Sequence, residues 1–290
     1  MGRYARTMVS RAVLITGCSS GIGEATARRL VRAGWPVYAS ARNVADLAAL
    51  EEEGATPLRL DVTDRDSMDA AVDAVVFDHG AVGVLVNNAG YSQSGTIEEV
   101  TDDKIRRQFE TNLFGPIHLI RRVLPGMRAQ RWGKVVNLSS IGGRLVFPGA
   151  GYYHAAKHAI EALSDALRLE VRDFGIDTIV IEPGLIRTGF ADGITEHIDI
   201  DEDSPYADFV ASVHAVSVGA YGPDGTASRW GGDADRVAAA IEKAITAKHP
   251  GTRYRVTASA KVLLTARDLV PDRVWDAAVR RAFGRPADRR

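Results

Sequence analysis

Short apolar segments alternate with amphipathic stretches along the whole chain. The apolar segments are rich in β-branched residues, as strands buried on both faces should be, and they cover residues 12–16, 37–41, 57–60, 84–87, 134–139, 178–182 and 254–257. The amphipathic stretches include 22–33, 102–124 and 152–173, and the first and last of these end at Gly34 and Gly175. This alternation predicts an α/β fold with a parallel sheet and right-handed crossovers. An eight-stranded barrel would show the same alternation, so the choice depends on motifs.

A glycine-rich turn directly after the first predicted strand makes that choice. The turn reads TGCSSGIG from Thr16 and leads straight into a helix. Gly17 would permit the tight turn, Gly21 would let backbone N–H groups approach a pyrophosphate, and Gly23 would let the helix pack closely on the sheet. This order predicts a single-domain Rossmann fold, a doubly wound parallel sheet of about seven strands with helices on both faces.

Arg42, at the end of the second predicted strand, bears on the choice of cofactor. An acidic residue about 20 residues after the glycines would hold the adenine ribose of NAD, whereas an arginine accommodates the extra phosphate of NADP. The acid is absent here and Arg42 is present. NADP(H) is therefore the predicted cofactor and NAD(H) the less favoured one, with a solvated loop charge as the simple alternative for Arg42.

Composition narrows the class of protein. The 290 residues carry 36 basic and 37 acidic side chains, a formal net charge of −1, which gives no electrostatic footprint for nucleic acid. The single cysteine, Cys18, fits a reducing cytoplasm, and no 18-residue apolar run is present to span a membrane. Because no base partner is visible, Cys18 is interpreted as a turn residue and not as a nucleophile. We interpret residues 1–10 as a flexible leader, 11–283 as one catalytic domain and 284–290 as a cationic tail.

Tyr153 and Lys157 lie four residues apart at the start of the predicted helix 152–173. This spacing puts both on one helix face, where the ammonium would lower the pKa of the phenol from about 10 toward neutrality. Such a tyrosine is a tunable acid and base. His154 and His158 have the same spacing, but no further ligand cluster is visible, so no metal is predicted and both are interpreted as surface histidines.

Taken in order, the motifs resemble those of the short-chain dehydrogenase/reductase family, in its single-domain classical type. The similarity covers residues 11–190 and, more loosely, 233–283. Thr16 and the three glycines match the family's Thr-Gly-x-x-x-Gly-x-Gly turn, and Asn87-Asn88-Ala89-Gly90 matches its segment after the fourth strand. With Ser20 before the second motif glycine, the turn is most similar to that of the 17β-hydroxysteroid and retinol dehydrogenase-like branch.

The resemblance implies roles for individual residues. Asn112 would hold a water in a proton relay, and Ser140 would orient the substrate. Tyr153 would be the general acid and base, and Lys157 would bind the nicotinamide ribose and lower the tyrosine pKa. The implied reaction transfers the pro-S hydride between NADP(H) and a ketone or aldehyde, which interconverts it with an alcohol. The residues implied to contact the cofactor are Gly17, Ser19, Ser20, Gly21, Ile22, Gly23, Arg42, Asp61, Val62, Asn88, Ala89, Gly90, Tyr153, Lys157, Pro183, Gly184, Ile186 and Thr188.

Residues 189–232 fall where the family builds a substrate lid. Seven acids between Asp192 and Asp208, most simply a solvated face, disfavour phosphopantetheine or CoA carriers as substrates. Helical spacing predicts one apolar helix face, which could roof an apolar pocket or pack on the core. Its residues are Tyr206, Phe209, Val210, Val213 and Val216. Candidates for the pocket wall, beside Ser140 and Tyr153, are Tyr91, Leu145, Val146 and Phe147. The predicted substrate is a hydrophobic ketone or secondary alcohol of steroid, retinoid or terpenoid type.

The resemblance also implies an assembly state, and two other functions remain as alternatives. The family packs its subunits through the helices 102–124 and 152–173, so a homodimer or homotetramer is expected. A catalytically silent NADP-binding regulatory protein would share the fold but would not need Asn112, Ser140, Tyr153 and Lys157 together. A sugar-nucleotide epimerase or dehydratase also uses a Tyr-x-x-x-Lys pair, but with a different glycine spacing and a larger C-terminal substrate domain.

Overall fold

The chain folds around one large parallel sheet. The computed structural model describes residues 9–187, 203–221, 225 and 230–283. The strands, in chain order, are β1 (Val13–Ile15), β2 (Val37–Ala41), β3 (Thr56–Arg59), β4 (Val84–Asn87), β5 (Gly133–Leu138), β6 (Ile176–Glu182), β7 (Ile186–Arg187), β8 (Gly232–Asp233) and β9 (Arg253–Arg255). Seven of them form one sheet in the order β3-β2-β1-β4-β5-β6-β9, with every neighbouring pair parallel, while β7 pairs with β8 separately. This order confirms the doubly wound Rossmann-type sheet that the glycine turn predicted.

Helices cover both faces of this sheet. In chain order they are α1 (Gly21–Arg32), α2 (Ala48–Glu52), α3 (Arg65–His79), α4 (Asp102–Phe109), α5 (Gly115–Gln130), α6 (Gly151–Val171), α7 (Ala207–Tyr221), α8 (Ala234–Thr246), α9 (Ala258–Leu269) and α10 (Asp272–Phe283). Helices α1 and α8 supply side chains to the core on one face, and α3, α5 and α6 supply the core on the other. The boundaries of the single domain, residues 11 and 283, stay a prediction.

Strand β1 shows why these short segments fold into the centre of the sheet. Val13 and Ile15 point into the core with Leu30 of α1, whereas Leu14 points into the opposite core with Leu119 of α5, and all five are fully buried. Because successive side chains of a strand point to opposite faces, a strand covered on both sides needs apolar residues throughout. Each such burial contributes about 1.5–3 kcal/mol, so the carboxyl end of β1 is held firmly in place.

The long helix predicted over 102–124 is interrupted. Residues Glu110–Phe114 form a single π turn between α4 and α5, and α5 continues to Gln130. At Gly115 the helix approaches the loop after β3 so closely that a Cβ there would lie 2.3 Å from the Val62 carbonyl oxygen. A π turn shifts the side chains that follow it and is frequent at functional sites, which bears on Asn112 inside it.

The predicted leader and some helix ends can be compared with the structure. Ser10, which the sequence assigns to the leader, is instead buried, and its hydroxyl donates to the Ala81 carbonyl at 2.5 Å. Residues 1–8 and the tail 284–290 lie outside the described residues. Gly175 follows α6 and a short 3-10 turn with φ 75°, which confirms the left-handed residue predicted at this helix end. In the described part of the chain no helix is long and apolar enough to cross a membrane.

Candidate active site

The candidate site is a cavity of about 760 Å³ at the carboxyl ends of the strands. In open parallel sheets this edge, where the strand order reverses, is where ligands bind. Most of the predicted cofactor contacts line it: Gly17, Ser19, Ser20, Gly21, Ile22, Arg42, Asp61, Val62, Asn88, Ala89, Gly90, Tyr153, Lys157, Pro183, Gly184 and Ile186. Gly23 does not line the cavity, and Thr188 and residues 189–202 lie outside the described residues.

The glycine turn after β1 has the close backbone packing that its sequence predicts. Gly17 and Gly21 have φ of 72° and 62°, a left-handed conformation that glycine adopts without strain. A Cβ on Gly23 would lie 2.1 Å from the Gly17 carbonyl oxygen, so no larger residue fits there. The amide of Asn88 donates to the Thr16 and Gly17 carbonyls at 2.8 and 2.9 Å, which ties the turn to the end of β4. Gly23 therefore shapes the turn from behind, and the cofactor contact that the resemblance implies for it stays a prediction.

The start of helix α1 fits a bound pyrophosphate. The helix begins after Ser20, and no side chain caps its first turn. The free N–H groups and the positive end of the helix dipole at such a terminus favour an anion. Together with the turn, which leaves no room for a Cβ at Gly23, this geometry fits the phosphates of a dinucleotide.

Cys18, in the same turn, is not reactive. The thiol is fully buried and donates to the Ile15 carbonyl, with its sulfur 3.4 Å from the oxygen. Burial raises the pKa of Cys18 to about 12. Since the thiolate is the nucleophilic form, this environment agrees with the interpretation of Cys18 as a turn residue.

Arg42 and Asp61 lie together at the other end of the cavity. The Asp61 carboxylate accepts hydrogen bonds from the Thr63 backbone N–H at 2.9 Å and from the Thr63 hydroxyl at 2.8 Å. Burial alone would raise the pKa of Asp61, but these hydrogen bonds and the charges of Arg42 and Arg59 together lower it. Arg42 is exposed, and the structure shows no hydrogen bond or ion pair that holds its guanidinium among the described residues. This end thus carries an exposed cation beside a hydrogen-bonded carboxylate.

Ser140, Tyr153 and Lys157 meet in the centre of the cavity. Ser140 follows β5, its hydroxyl oxygen accepts the Gly142 N–H at 3.1 Å, and it is hydrogen-bonded to Tyr153. Lys157 lies one turn along α6, with its Nζ 5.8 Å from the centre of the Tyr153 ring, and it donates to the Leu138 carbonyl at 2.7 Å. A hydroxyl pair and an ammonium therefore face one pocket, as the spacing predicted.

The predicted lowering of the Tyr153 pKa is not what the structure shows. Burial raises the pKa of Tyr153, against a lowering contribution from the hydrogen bond with Ser140. Burial also lowers the pKa of Lys157 to about 8, against the charge of Glu161. Both groups are removed from water, and desolvation disfavours the charged form of each. In this state Tyr153 is therefore a neutral proton donor, which suits the reductive direction.

Asn112 is buried beside this group but does not line the cavity. Its amide nitrogen donates to the Tyr91 carbonyl at 2.8 Å and its amide oxygen accepts the Tyr91 N–H at 3.2 Å. The side chain thus holds the segment after β4 in place. These two bonds use one of the two N–H groups and one of the two lone pairs of the amide, so the water-holding role that the resemblance implies stays a prediction.

His154 corrects a second expectation from the sequence. It is 5% exposed and lines the cavity between Phe147 and Tyr153, with ring centres 6.2 and 5.7 Å apart, whereas His158 is exposed as predicted. Burial, reinforced by the charge of His158, lowers the pKa of His154 to about 4. His154 is therefore a neutral wall residue at physiological pH.

The buried neutral His154 predicts a pH effect on stability. Its folded-state pKa of about 4 lies below the usual 6.5, so acidification from pH 6.5 to 4 protonates the unfolded chain first. We expect the free energy of unfolding to fall by about 3 kcal/mol over this interval through this one group. Chemical denaturation across the interval should show that His154→Gln lacks this component, while His158→Gln retains most of it, because burial is the larger cause of the lowered pKa of His154. Identical slopes for wild type and His154→Gln would contradict the assignment.

The substrate wall differs in part from its prediction. Tyr91 and Phe147 line the cavity, but Leu145 is 1% exposed and packs in a separate small core with Ala260 and Leu264. Of the predicted helical face, Val213 and Val216 line the cavity, whereas the Tyr206 hydroxyl donates to Glu98 at 2.8 Å. Residues of the wall that the sequence reasoning missed are His154, Ser217, Ala220, Tyr221, Leu263 and Phe283. Helical spacing extended past Val216 would have found Ala220 and Tyr221, but no sequence signal brings Phe283 to the site.

Comparison with known proteins agrees with this geometry. Residues 11–199 match the family model for short chain dehydrogenase. The chain is 35% identical over 277 residues to 3-ketodihydrosphingosine reductase of Bacteroides thetaiotaomicron, an alignment that covers 94% of this chain and 98% of the relative. It is 32% identical over 279 residues to NADPH-dependent 3-dehydrocapnine reductase of Ornithobacterium rhinotracheale, covering 92% and 95% of the two chains. A short-chain dehydrogenase of Streptomyces avermitilis has a similar crystal structure, with a TM-score of 0.77, 35% identity and coverage of 93% and 97%.

Relatives of this chain include one solved with NAD and one named for its use of NADPH. A member of the family from Burkholderia phymatum, 26% identical over 97% of this chain and 98% of its own, with a TM-score of 0.74, was solved with NAD. The Ornithobacterium enzyme is named as NADPH-dependent. From the matched domain, the shared sheet order and the assembled site, the chain belongs to the short-chain dehydrogenase family and is an oxidoreductase that acts on CH–OH groups with NAD(P) as acceptor.

Proposed function

We propose that the protein is an NADP(H)-dependent enzyme that reduces the carbonyl group of a hydrophobic small molecule to an alcohol. The observation that carries this proposal is that one cavity is lined by Ser140, Tyr153 and Lys157, by Arg42 after β2 and by an apolar wall. The first three residues can act on a carbonyl, Arg42 can bind a phosphate, and the wall can bind an apolar substrate.

The hydroxyls of Ser140 and Tyr153 provide the carbonyl site. Both would donate hydrogen bonds to the carbonyl oxygen, and these bonds strengthen as negative charge develops on it. NADPH, when bound, supplies the hydride. Tyr153 then gives its proton to the oxygen, and burial, which keeps the phenol protonated, favours this direction. The buried Lys157 ammonium stabilises the tyrosinate that forms. A carbonyl group is thereby reduced with one hydride and one proton.

Arg42 supports NADP(H) over NAD(H). It is exposed at the cavity end where Asp61 lies, and an arginine after the second strand can pair with the ribose phosphate that distinguishes NADP. The name of the NADPH-dependent relative from Ornithobacterium points the same way. The predicted preference for NADP(H) depends on the Arg42 guanidinium alone, because the glycine turn has Ser20, and no basic residue, before its second motif glycine.

Replacing Arg42 tests this selectivity. We expect Arg42→Ala to raise the KM for NADPH by about 10- to 100-fold through loss of a charge-assisted pair, with little change for NADH. Arg59→Ala is the matched control, because Arg59 also acts on the charge of Asp61 but does not line the cavity. Steady-state kinetics with both cofactors measures the effect. An equal loss for NADH and NADPH, or a wild-type preference for NADH, would refute the role of Arg42.

The apolar wall supports a hydrophobic substrate. Phe147 stacks near Phe283 and Trp275 of α10, with ring centres 5.7 and 6.2 Å away, and Val213 and Leu263 extend the same wall. The two named relatives reduce a keto or a dehydro compound, which is consistent with work in the reductive direction. A steroid, retinoid, terpenoid or long-chain lipid ketone would pack against such a wall. Membership in the 17β-hydroxysteroid and retinol dehydrogenase-like branch, which the turn sequence suggests, is part of this proposal.

A panel of ketones with NADPH tests the function directly. Catalytic efficiency should rise with the apolar surface of the ketone, by about tenfold for every two buried methylene groups. Short polar ketones and CoA thioesters should be poor substrates. Absence of NADPH oxidation with every ketone, despite tight NADPH binding, would instead favour the silent regulatory protein.

We also propose that the enzyme is a homodimer or homotetramer of the cytoplasm. Support comes from exposed apolar side chains where subunits would pack, since Leu163 and Leu169 of α6 and Phe114 of the π turn are 42%, 70% and 50% exposed. Light scattering during size-exclusion chromatography measures the state directly, and a monomer at micromolar concentration would contradict the proposal.

A further inference from the structure

Helix α7 presents one face to the cavity, and that face changes character along its length. The residues on it follow the i, i+3, i+4, i+7, i+8 spacing of a helix face and are Val213, Val216, Ser217, Ala220 and Tyr221. The side chains nearer the amino end are apolar, and Val213 packs against Gly149, where a Cβ would lie 2.5 Å from its Cγ1. Toward the carboxyl end, Ser217 and Tyr221 add two hydroxyl groups one turn apart.

Tyr221 lies close to the reacting group. It lines the same cavity as Tyr153, and the two phenols interact electrostatically, which contributes to the raised pKa of Tyr153. Burial raises the pKa of Tyr221 to about 12, so its hydroxyl remains a hydrogen-bond donor throughout the neutral range. The second phenol thus faces the space next to the carbonyl site that Ser140 and Tyr153 define.

The hydroxyls of Ser217 and Tyr221 have no protein partner among the residues that the structure describes. Other polar side chains of this region do have one: the Ser212 hydroxyl lies 2.7 Å from the Phe209 carbonyl oxygen, and the Tyr206 hydroxyl donates to Glu98 at 2.8 Å. Ser217 and Tyr221 are both half-buried within an otherwise apolar face. Both residues line the cavity, so a substrate that displaces water from this face would have to supply the hydrogen-bond partner of each hydroxyl.

We propose that Ser217 and Tyr221 bind a hydroxyl substituent next to the reacting carbonyl, so that the enzyme prefers an α-hydroxyketone to the corresponding plain ketone. A serine and a tyrosine can each donate to and accept from such a hydroxyl, and no charge is needed. The apolar remainder of the substrate lies along Val213 and Val216. This inference rests on the proposed function, because it places the substituent relative to the carbonyl bound by Ser140 and Tyr153.

The discrimination follows from the pairing of these groups. A site built to hydrogen-bond a hydroxyl rejects the analogue that lacks it, because its own polar groups are then left without a partner. For a half-buried site we expect a preference of about 10- to 100-fold in kcat/KM, which is smaller than for a fully enclosed one.

The test compares a long-chain methyl ketone with its α-hydroxy analogue, using NADPH and the full-length protein. Wild type should favour the hydroxy compound, and Tyr221→Phe and Ser217→Ala should each reduce the preference by about tenfold, mainly because the KM for the hydroxy compound rises more than the KM for the plain ketone. Tyr206→Phe is the matched control, since it removes a phenol of the same region that bonds to Glu98 and does not line the cavity.

The outcomes separate the two proposals. An unchanged preference in both variants, or no preference in wild type, would overturn the inference while leaving the reductase function intact. A parallel loss with both ketones would also overturn it, since it would show a general structural role for these residues. Reduction of neither ketone by wild type would refute the proposed function itself.

Discussion

Replacing Tyr153 by phenylalanine is expected to lower turnover by about 10³-fold while NADPH binding stays within about twofold of wild type. The phenol is the proposed proton donor, and its hydroxyl is also one of the two groups that would hold the carbonyl oxygen. The ring itself is retained, so the packing against His154 should persist. Single-turnover reduction and a fluorescence titration with NADPH separate the loss of chemistry from any loss of binding.

Tyr152→Phe is the control for this variant. Tyr152 is the preceding residue of α6, and its hydroxyl donates to the Ile97 carbonyl at 2.8 Å, outside the cavity. It should keep nearly full activity. Wild-type turnover in Tyr153→Phe would remove the tyrosine from the mechanism and leave the rest of the account without a proton donor.

Lys157→Met is expected to lower activity by about 10²-fold or more and yet to leave the protein at least as stable at neutral pH. The ammonium is buried, and burial lowers its pKa to about 8 from the usual 10.5, so the folded state carries the cost of a desolvated charge. Its hydrogen bond to the Leu138 carbonyl offsets part of that cost. We expect Lys157→Met to raise the free energy of unfolding by about 1–2 kcal/mol at pH 7.

The size of this difference in stability depends on pH. Below pH 8 the lysine is charged in both the folded and the unfolded state, so the penalty is constant. Between pH 8 and 10.5 the folded protein has lost the proton and the unfolded chain has not, so the stability of wild type rises and the advantage of Lys157→Met shrinks. Denaturant unfolding at several pH values measures this difference.

A second buried lysine provides the matched control. Lys134, at the opposite end of β5, is 3% exposed and donates to the Ala247 carbonyl at 2.5 Å, far from the cavity lining. Lys134→Met should retain activity in its folded fraction. Full activity of Lys157→Met would refute the role of the ammonium in the reaction, and a marked destabilisation at pH 7 would contradict the predicted cost of burying its charge.

The parts of the fold that the sequence predicted well are those governed by local pattern. Strand β1 reads as continuous apolar residues because both of its faces are covered, and Gly17 and Gly21 mark the turn because only glycine adopts their φ without strain. The placement of Tyr153 and Lys157 on one side of α6 followed in the same way from helical spacing.

The parts that sequence reasoning missed depend on contacts between distant segments. His154 reads as a surface residue in its own helix, and it is buried because Phe147 and the loop after β5 cover it. The π turn at Asn112 interrupts a pattern that is helical throughout, and the pairing of that side chain with Tyr91 is invisible in sequence. Phe283 reaches the cavity only because α10 folds back onto Phe147. Burial reversed the expected shift of the Tyr153 pKa for the same reason, since desolvation is set by the whole fold.

The fate of a labelled hydride tests most directly whether the enzyme reduces a carbonyl group with NADPH. NADPH carrying deuterium at the pro-S position of the nicotinamide is incubated with the enzyme and a hydrophobic ketone, and the alcohol is examined by mass spectrometry. We expect deuterium on the carbinol carbon from the pro-S label, none from the pro-R label, and no labelled alcohol with Tyr153→Phe over the same time. Unlabelled alcohol, or no alcohol from any ketone of the panel, would contradict this expectation.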